Sequence, residues 1–314
     1  MKIGFLFPGQ GSQTIGMGKD LYDEYESCRS VYERVKGITG VDVSALTFNG
    51  TEEELSQTKN TQLSILTMSL AILAILREKG ISAEVSAGLS LGEYAALIYS
   101  KKLGFEDGVK LVKNRGEYMQ NLLPEGNWKM AAIMGMEEEK VVEVCEKVTT
   151  GFAKAVNFNT IGQIVVSGDE EGINEVEKIA KEMSAKKIRI LNTSGPFHTE
   201  KLIEASKALR KDLENVEFRK AETKVLKNLD GQEYCEEDDM VDILANHIIN
   251  PVKFTNILKN MYDDGVDTFI EVGPGKTLSG FVKRMGFENV TIFNINDIDS
   301  LNHVLSEIKI SEGE

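Results

Sequence analysis

Three histidines, three cysteines, one tryptophan and five prolines are all that 314 residues contain of these types, and the scarcities remove whole classes of function. Cys28, Cys145 and Cys235 are odd in number, far apart and without Cys-x-x-Cys spacing. They build neither a disulfide framework nor a thiolate metal site, so reduced thiols in a cytoplasmic compartment are expected. His198, His247 and His303 are scattered and no His-Glu-x-x-His occurs, so no metal is expected. Positive charge is also short: 36 basic residues against 50 acidic ones leave a net charge of -14. That excludes general nucleic-acid binding, which needs a concentrated basic excess against phosphate. Long apolar runs are few. Met1 to Phe7 stops at Pro8, too short for the apolar core of a secretion signal. Leu63 to Leu76 is interrupted by Ser64, Thr67 and Ser69 and ends at Arg77-Glu78-Lys79, which predicts a buried helix too short to span a membrane. The 41% hydrophobic content still suffices for a large core, in one big domain or two smaller ones.

What is present centres on Gly88-Leu89-Ser90-Leu91-Gly92, a Gly-x-Ser-x-Gly that ends a run of small residues and passes at once into helix formers. The pattern predicts strand, sharp turn and helix. A serine on such a turn needs small neighbours, supplied by Gly88 and Gly92, and Ser90 is then the candidate nucleophile. Backbone N–H groups opening the following helix, Leu91's among them, converge where an oxyanion would form, which suits acyl transfer. On the pattern alone an ordinary turn is the competing reading. Upstream, Lys2 to Phe7 reads as a buried parallel strand followed by the amide-rich loop Pro8-Gly9-Gln10-Gly11-Ser12-Gln13. The third glycine of a dinucleotide loop would fall at Thr14, which argues against that use. Gln10 is either a turn residue or the source of a second oxyanion N–H beside that of Leu91.

In chain order, the acidic segments Asp20 to Glu26 and Glu52 to Glu54 read as solvated helix faces. Asn60-Thr61-Gln62 is expected to cap the apolar helix, which runs to Lys79 and stops at Gly80, before a strand over Glu84 to Ala87. Phe105 to Leu122 has helical periodicity and carries Arg115, either in a surface ion pair with Glu117 or a neighbour, or as a clamp for a planar carboxylate. From Pro124 the rhythm changes. Lys129–Met134, Phe152–Asn157, Gln163–Gly168 and Lys187–Leu191 read as strands, with helices over Glu137–Val148 and Glu170–Ala185. The order β-α-β-β-α-β predicts a small ferredoxin-like α+β domain, residues 124–191, inserted into a larger α/β domain of residues 1–123 and 192–314. Asn157-Phe158-Asn159 is expected at a strand end facing a turn. Lys186, Lys187 and Arg189 form a basic cluster, which is either a docking site for an acidic partner or a solvated strand edge. The loop Asn192 to Phe197 delivers His198 to the start of a helix over Thr199 to Leu213, as a candidate base or a local cap. His247 is expected to be structural and His303 exposed. Gly273-Pro274-Gly275-Lys276-Thr277 resembles a phosphate loop only at its end, since that motif's first glycine would fall at Ile270; a tight strand-to-helix turn suffices. The last strand is expected near Val290 to Ile295, with a disordered tail over Ser311 to Glu314.

Taken together, Phe7-Pro8-Gly9-Gln10-Gly11-Ser12-Gln13, Gly88-Leu89-Ser90-Leu91-Gly92-Glu93-Tyr94, Arg115-Gly116-Glu117-Tyr118-Met119-Gln120, Asn157-Phe158-Asn159, Pro196-Phe197-His198, Asn250-Pro251-Val252 and Glu271-Val272-Gly273-Pro274-Gly275 resemble the malonyl-CoA:acyl carrier protein transacylases of fatty acid synthesis, from residue 5 to about 280. The resemblance implies an α/β-hydrolase-like large domain with a parallel sheet, interrupted by the small ferredoxin-like one. It implies that Ser90 is acylated, that His198 is its base and acid, that Gln10 and Leu91 supply oxyanion amides, and that Arg115 holds the malonyl carboxylate. A backbone carbonyl near Asn250-Pro251-Val252 would orient His198. Malonyl-CoA and acyl carrier protein are the implied partners, coenzyme A enters only as the substrate thioester, no cofactor or membrane is implied, and a monomer is usual. Two positions depart from the family pattern: Leu89 stands where a histidine usually precedes the nucleophile, and His247 where glutamine is common. Phe197 resembles the malonyl-selecting form of its motif. The alternatives are a serine hydrolase or thioesterase on the same elbow, with an acid completing a triad, and a non-catalytic docking module of a synthase.

Overall fold

In a computed structural model, residues 1–191 and 195–308 are described, so that Asn192-Thr193-Ser194 and the tail Ser311 to Glu314 lie outside the described residues. In chain order the strands are β1 (Ile3–Phe7), β2 (Val85–Gly88), β3 (Trp128–Met134), β4 (Ala153–Thr160), β5 (Gln163–Asp169), β6 (Lys187–Ile190), β7 (Lys224–Val225), β8 (Thr268–Val272) and β9 (Thr291–Ile295). One sheet has the order β7-β2-β1-β8-β9 and every pair in it is parallel. β1, β2 and β8 are buried along their whole length, because helices cover both faces of a parallel sheet and leave no place for alternation. The other sheet has the order β4-β5-β3-β6 with every pair antiparallel. Its helices, Glu138–Glu146 and Glu170–Glu182, bury Val141, Val144, Ile173 and Val176 against Ile133, Ile164 and Val166. This is the ferredoxin-like arrangement beside a parallel α/β sheet. β4 is tied to the chain after the helix Met240–His247: Phe158 N–H donates to the Val252 carbonyl at 2.9 Å, and Val252 N–H to that of Val156 at 2.8 Å.

Several boundaries differ from expectation for local reasons. The apolar helix spans Thr58–Glu78, 21 residues, and starts after Gln57 rather than at Asn60. Asn60 and Thr61 instead donate back to the carbonyls of Glu54 and Leu55 in the preceding helix. At this length the helix is long and apolar enough to cross a membrane, so the shortness expected of it is incorrect. It packs between the helices Glu26–Thr39 and Phe105–Asn121, with 78% of its most apolar stretch buried, as a core helix is. Asn157-Phe158-Asn159 lies inside β4 rather than at its end, since pairing with β5 continues through Phe158 with Ile164 to Thr160 with Gln163. The segment after His198 opens as a 3-10 turn, Glu200–Leu202, before the helix Ile203–Leu213.

Phe7 pairs with Gly88, which brings the loop after β1 against the turn after β2. That approach requires glycine. A Cβ on Gly88 would stand 1.9 Å from the Gly92 carbonyl carbon, and one on Gly92 would stand 2.1 Å from the Phe7 oxygen. Gly88→Ala is therefore expected to destabilise the protein by about 3 kcal/mol or more in urea unfolding. Gly37→Ala, on an exposed helical position with open space around it, is expected to stabilise by about 0.5–1 kcal/mol; equal effects at the two sites would contradict this account.

Candidate active site

Ser90 has φ 53°, in the left-handed region where a residue with a side chain is strained. Asn228 braces the turn from the segment after β7. Its Oδ1 accepts the Ser90 N–H at 2.8 Å and its Nδ2 donates to the Gly88 carbonyl at 2.7 Å. The helix Gly92–Tyr99 begins immediately beyond, so the positive end of its dipole lies beside the Ser90 side chain. Neither the Leu91 nor the Gln10 backbone N–H donates to a partner among the described residues, and both residues line the cavity in front of Ser90. The Gln10 side chain reaches Thr58 Oγ1 at 3.4 Å.

His198 is itself at φ 61° and brings Nε2 to 2.8 Å from Ser90 Oγ. Its Nδ1 lies 2.9 Å from the His247 carbonyl oxygen. A carbonyl can only accept, so Nδ1 carries the proton and Nε2 presents a lone pair to the serine hydroxyl. Among the described residues no carboxylate bonds to His198, which sets this pair apart from an acid-completed hydrolase triad. Burial foremost, and then the neighbouring His247 and the Arg115 charge, hold the His198 imidazole well below its ordinary 6.5.

Arg115 is completely buried. Its Nη2 donates to Ser90 Oγ at 3.1 Å and its Nη1 to Gln62 Oε1 at 2.6 Å, and the guanidinium lies 5.7 Å from the Tyr94 ring centroid. The surface ion pair is ruled out, because Glu117 pairs with Lys113 at 3.0 Å instead. Among the described residues no carboxylate reaches ion-pair distance of Arg115, and its Nε has no partner. A buried cation without an anion costs several kcal/mol, so the site is short of one negative charge beside the hydroxyl. The cavity there holds about 570 Å³ and is lined by Gln10, Ser90, Leu91, Arg115, Phe197 and His198. Asn157 and Asn159 border it from β4.

The Gly273-Pro274-Gly275 turn is no anion site. Glu271, fully buried, accepts the N–H groups of Leu278 at 3.1 Å and Ser279 at 2.7 Å, occupying the helix start that a phosphate would need. The sequence reading brought Ser90, His198, Arg115, Gln10 and Leu91 to one cavity but passed over Asn228 and Gln62. Gln62 carried a signal, as an amide directly before the longest apolar run, and was expected only as a helix cap. Asn228 carried none.

A family model described as an acyl transferase domain matches residues 4–296. The chain belongs to the acyl transferase domain family. It is 38% identical to the malonyl CoA-acyl carrier protein transacylase of Bacillus subtilis, covering 98% of each chain. The crystal structure of malonyl CoA-acyl carrier protein transacylase from Clostridium perfringens, 42% identical, superposes with a TM-score of 0.93 over 98% of this chain and 97% of that one. A malonyl-transacylase solved in complex with a type II PKS acyl-carrier protein superposes with a TM-score of 0.94 at 32% identity, over 98% of this chain and all of that one. Within this acyl transferase, Leu89 lines the cavity and packs against the apolar cluster around Phe254 and Leu278, which makes that wall apolar where the family usually has an imidazole. The exchange at His247 leaves the contact to His198 intact, because a backbone carbonyl makes it.

A base must be neutral to accept a proton. Because His198 titrates below 6.5, the plot of kcat/KM against pH is expected to stay level as pH falls through 6.5 and to decline only below it. An acid limb centred at or above 6.5 would contradict the buried geometry. Stability follows the same sign: the unfolded histidine takes up a proton near 6.5 and the folded one does not, so His198's contribution is present above 6.5 and lost as pH falls below it.

Proposed function

We propose that the chain transfers a malonyl group from malonyl-CoA to the phosphopantetheine thiol of an acyl carrier protein, in fatty acid synthesis, through a malonyl ester on Ser90. The observation that carries this reading is the fully buried Arg115 cation, lacking a carboxylate partner among the described residues, with Nη2 3.1 Å from the hydroxyl. A substrate bearing a free carboxylate next to its reacting carbonyl supplies the missing charge. Acetyl and longer plain acyl groups do not.

In the first half-reaction His198 Nε2 takes the Ser90 proton as Oγ attacks the thioester carbonyl. The oxyanion is held by the N–H groups of Leu91 and Gln10, where the helix dipole adds positive potential. The carbon–sulfur bond breaks, the coenzyme A sulfur takes the proton from His198, and the malonyl ester remains. In the second half the pantetheine thiol gives its proton to His198, attacks the ester, and Ser90 recovers the proton on leaving. Phe197, 6% exposed at the cavity wall, fills the space next to the acyl chain and favours malonyl over its α-methyl homologue. The same reading divides the chain into a large unit of residues 1–123 and 192–314 and a small one of residues 124–191, with the cavity between. It also has the enzyme working in the cytoplasm as a monomer.

The carrier docks, in this proposal, along β6. Lys187 and Arg189 are exposed on that edge strand, Lys186 is exposed just before it, and Arg189 reaches the cavity mouth. None of the three has an ion-pair partner among the described residues, in a chain with a net charge of -14.

Incubation with malonyl-CoA and mass spectrometry should find a malonyl adduct on Ser90; an unlabelled serine in folded protein would end the enzymatic reading. Arg115→Ala is expected to lower malonyl transfer by about 100-fold or more while acetyl transfer or hydrolysis rises relative to it, and an unchanged malonyl preference would remove the clamp. Charge reversal at Lys186, Lys187 and Arg189 together is expected to raise the KM for the carrier by about tenfold without changing that for malonyl-CoA. An unaltered carrier KM would move the docking surface elsewhere.

A further inference from the structure

Ser90 and His198 come from distant parts of the chain, yet the supports of both converge on one carboxylate. Glu93 lies three residues after Ser90 in the first turn of the helix Gly92–Tyr99, and only 1% of it is exposed. Its Oε1 accepts the backbone N–H of Asn228 at 2.9 Å. Asn228 in turn holds the Ser90 N–H and the Gly88 carbonyl. Its Oε2 lies 2.9 Å from Nδ1 of His247. The His247 backbone carbonyl is the acceptor for His198 Nδ1, and the two imidazole rings lie 5.2 Å apart at 33°. The Glu93–His247 contact is close in distance but off the line of a hydrogen bond, and His247 Nε2 has no partner among the described residues, so the carboxylate holds this imidazole by packing it at a fixed distance. The remaining donor to Oε1 is the Tyr234 hydroxyl at 2.9 Å, which leads to neither reacting group.

We propose that Glu93 is a positioning residue that sets the separation of nucleophile and base, acting on Ser90 through Asn228 and on His198 through His247. A buried carboxylate is suited to this because it accepts from several donors at once, and removing it leaves Asn228 N–H, His247 and Tyr234 facing an empty acceptor in the interior. The inference rests on the acyl-transfer reading only for the choice of Ser90 and His198. A displacement of about 1 Å between reacting groups lowers rate without altering how the substrate's far end is held.

The test compares Glu93→Gln, His247→Gln, the double variant and Tyr234→Phe in the full chain. Each is assayed for malonyl transfer and for the rate at which a fluorophosphonate probe labels Ser90, with active sites counted by the labelling endpoint. Glu93→Gln is expected to lower kcat by about 10- to 100-fold with KM for malonyl-CoA within about twofold, with the fluorophosphonate rate falling in proportion and the endpoint unchanged. The double variant should lose no more than the worse single one, because both act through the same contact. Tyr234→Phe should stay within about twofold of the unaltered protein. A Glu93→Gln kcat within twofold, a double variant that loses clearly more than the worse single one, or an equal loss in Tyr234→Phe overturns the proposal. Loss of endpoint labelling in step with kcat reports unfolding, and also overturns it. Fluorophosphonate labelling does not involve malonyl, so failure of the malonyl reading would leave this comparison standing.

Discussion

Two glycine hydrogens let the chain cross itself at the end of β2, and the catalytic cavity depends on that crossing. With a side chain at Gly88 or Gly92, the turn could not lie under the loop after β1, and the Gln10 and Leu91 amides would not face one space. The constraint also fixes what Ser90 must tolerate, a left-handed backbone that Asn228 holds from both sides. His198 sits at positive φ as well. Both members of the Ser90–His198 pair are therefore carried on strained residues whose neighbours over-determine them, which is where strain is found when geometry matters more than local stability.

Electrostatically the cavity inverts the rest of the molecule. Acidic residues outnumber basic ones, and several exposed lysines are answered by them in pairs such as Lys110 with Glu106 and Lys181 with Glu177. Arg115 is the opposite case: fully buried, tied by Gln62, and without a carboxylate partner among the described residues. Its charge lowers the basicity of His198 and at the same time favours an anionic substrate at the neighbouring hydroxyl. In the proposed mechanism, a substrate carboxylate bound there partly neutralises that charge, so the imidazole gains basicity when the acyl donor arrives. On that reading one cation couples substrate selection to activation of the base.

What could be read from the sequence divides by the distance over which the signal acts. The elbow, the parallel strands and the β-α-β-β-α-β rhythm are local patterns, and each appears close to its expected place. The start of the helix Thr58–Glu78 escaped because Asn60 and Thr61, which look like caps, bond backward to Glu54 and Leu55. The continuation of β4 through Asn159 escaped because asparagines are poor strand formers, although pairing with β5 carries the strand to Thr160. Asn228 was invisible because it holds Ser90 across 138 residues, and Gln62, legible only as a helix cap, holds Arg115 across 53. Polar groups that support a site announce themselves only through partners, and a single sequence read by itself does not reveal partners. The motif glutamate, Glu93, is the intermediate case: its place beside the elbow was plain, while its two donors and the imidazole of His247 come from segments that follow it by more than a hundred residues.

The carbonyl behind His198 bears on why this site transfers rather than hydrolyses. A carboxylate partner would stabilise the imidazolium and make His198 a stronger base, as in serine hydrolases, whereas a carbonyl orients the ring with far less gain in basicity. Burial and the Arg115 charge weaken it further. For a thiol, with a pKa near 8.5, such a base is adequate, because the proton is easily surrendered and sulfur is a good nucleophile once bared. Water, with a pKa near 15.7, asks much more of its base. In the proposed mechanism the same imidazole must also draw the proton from the Ser90 hydroxyl, which it does at 2.8 Å in a fixed geometry, so the lower acidity of water handicaps it against a thiol at the ester rather than excluding it.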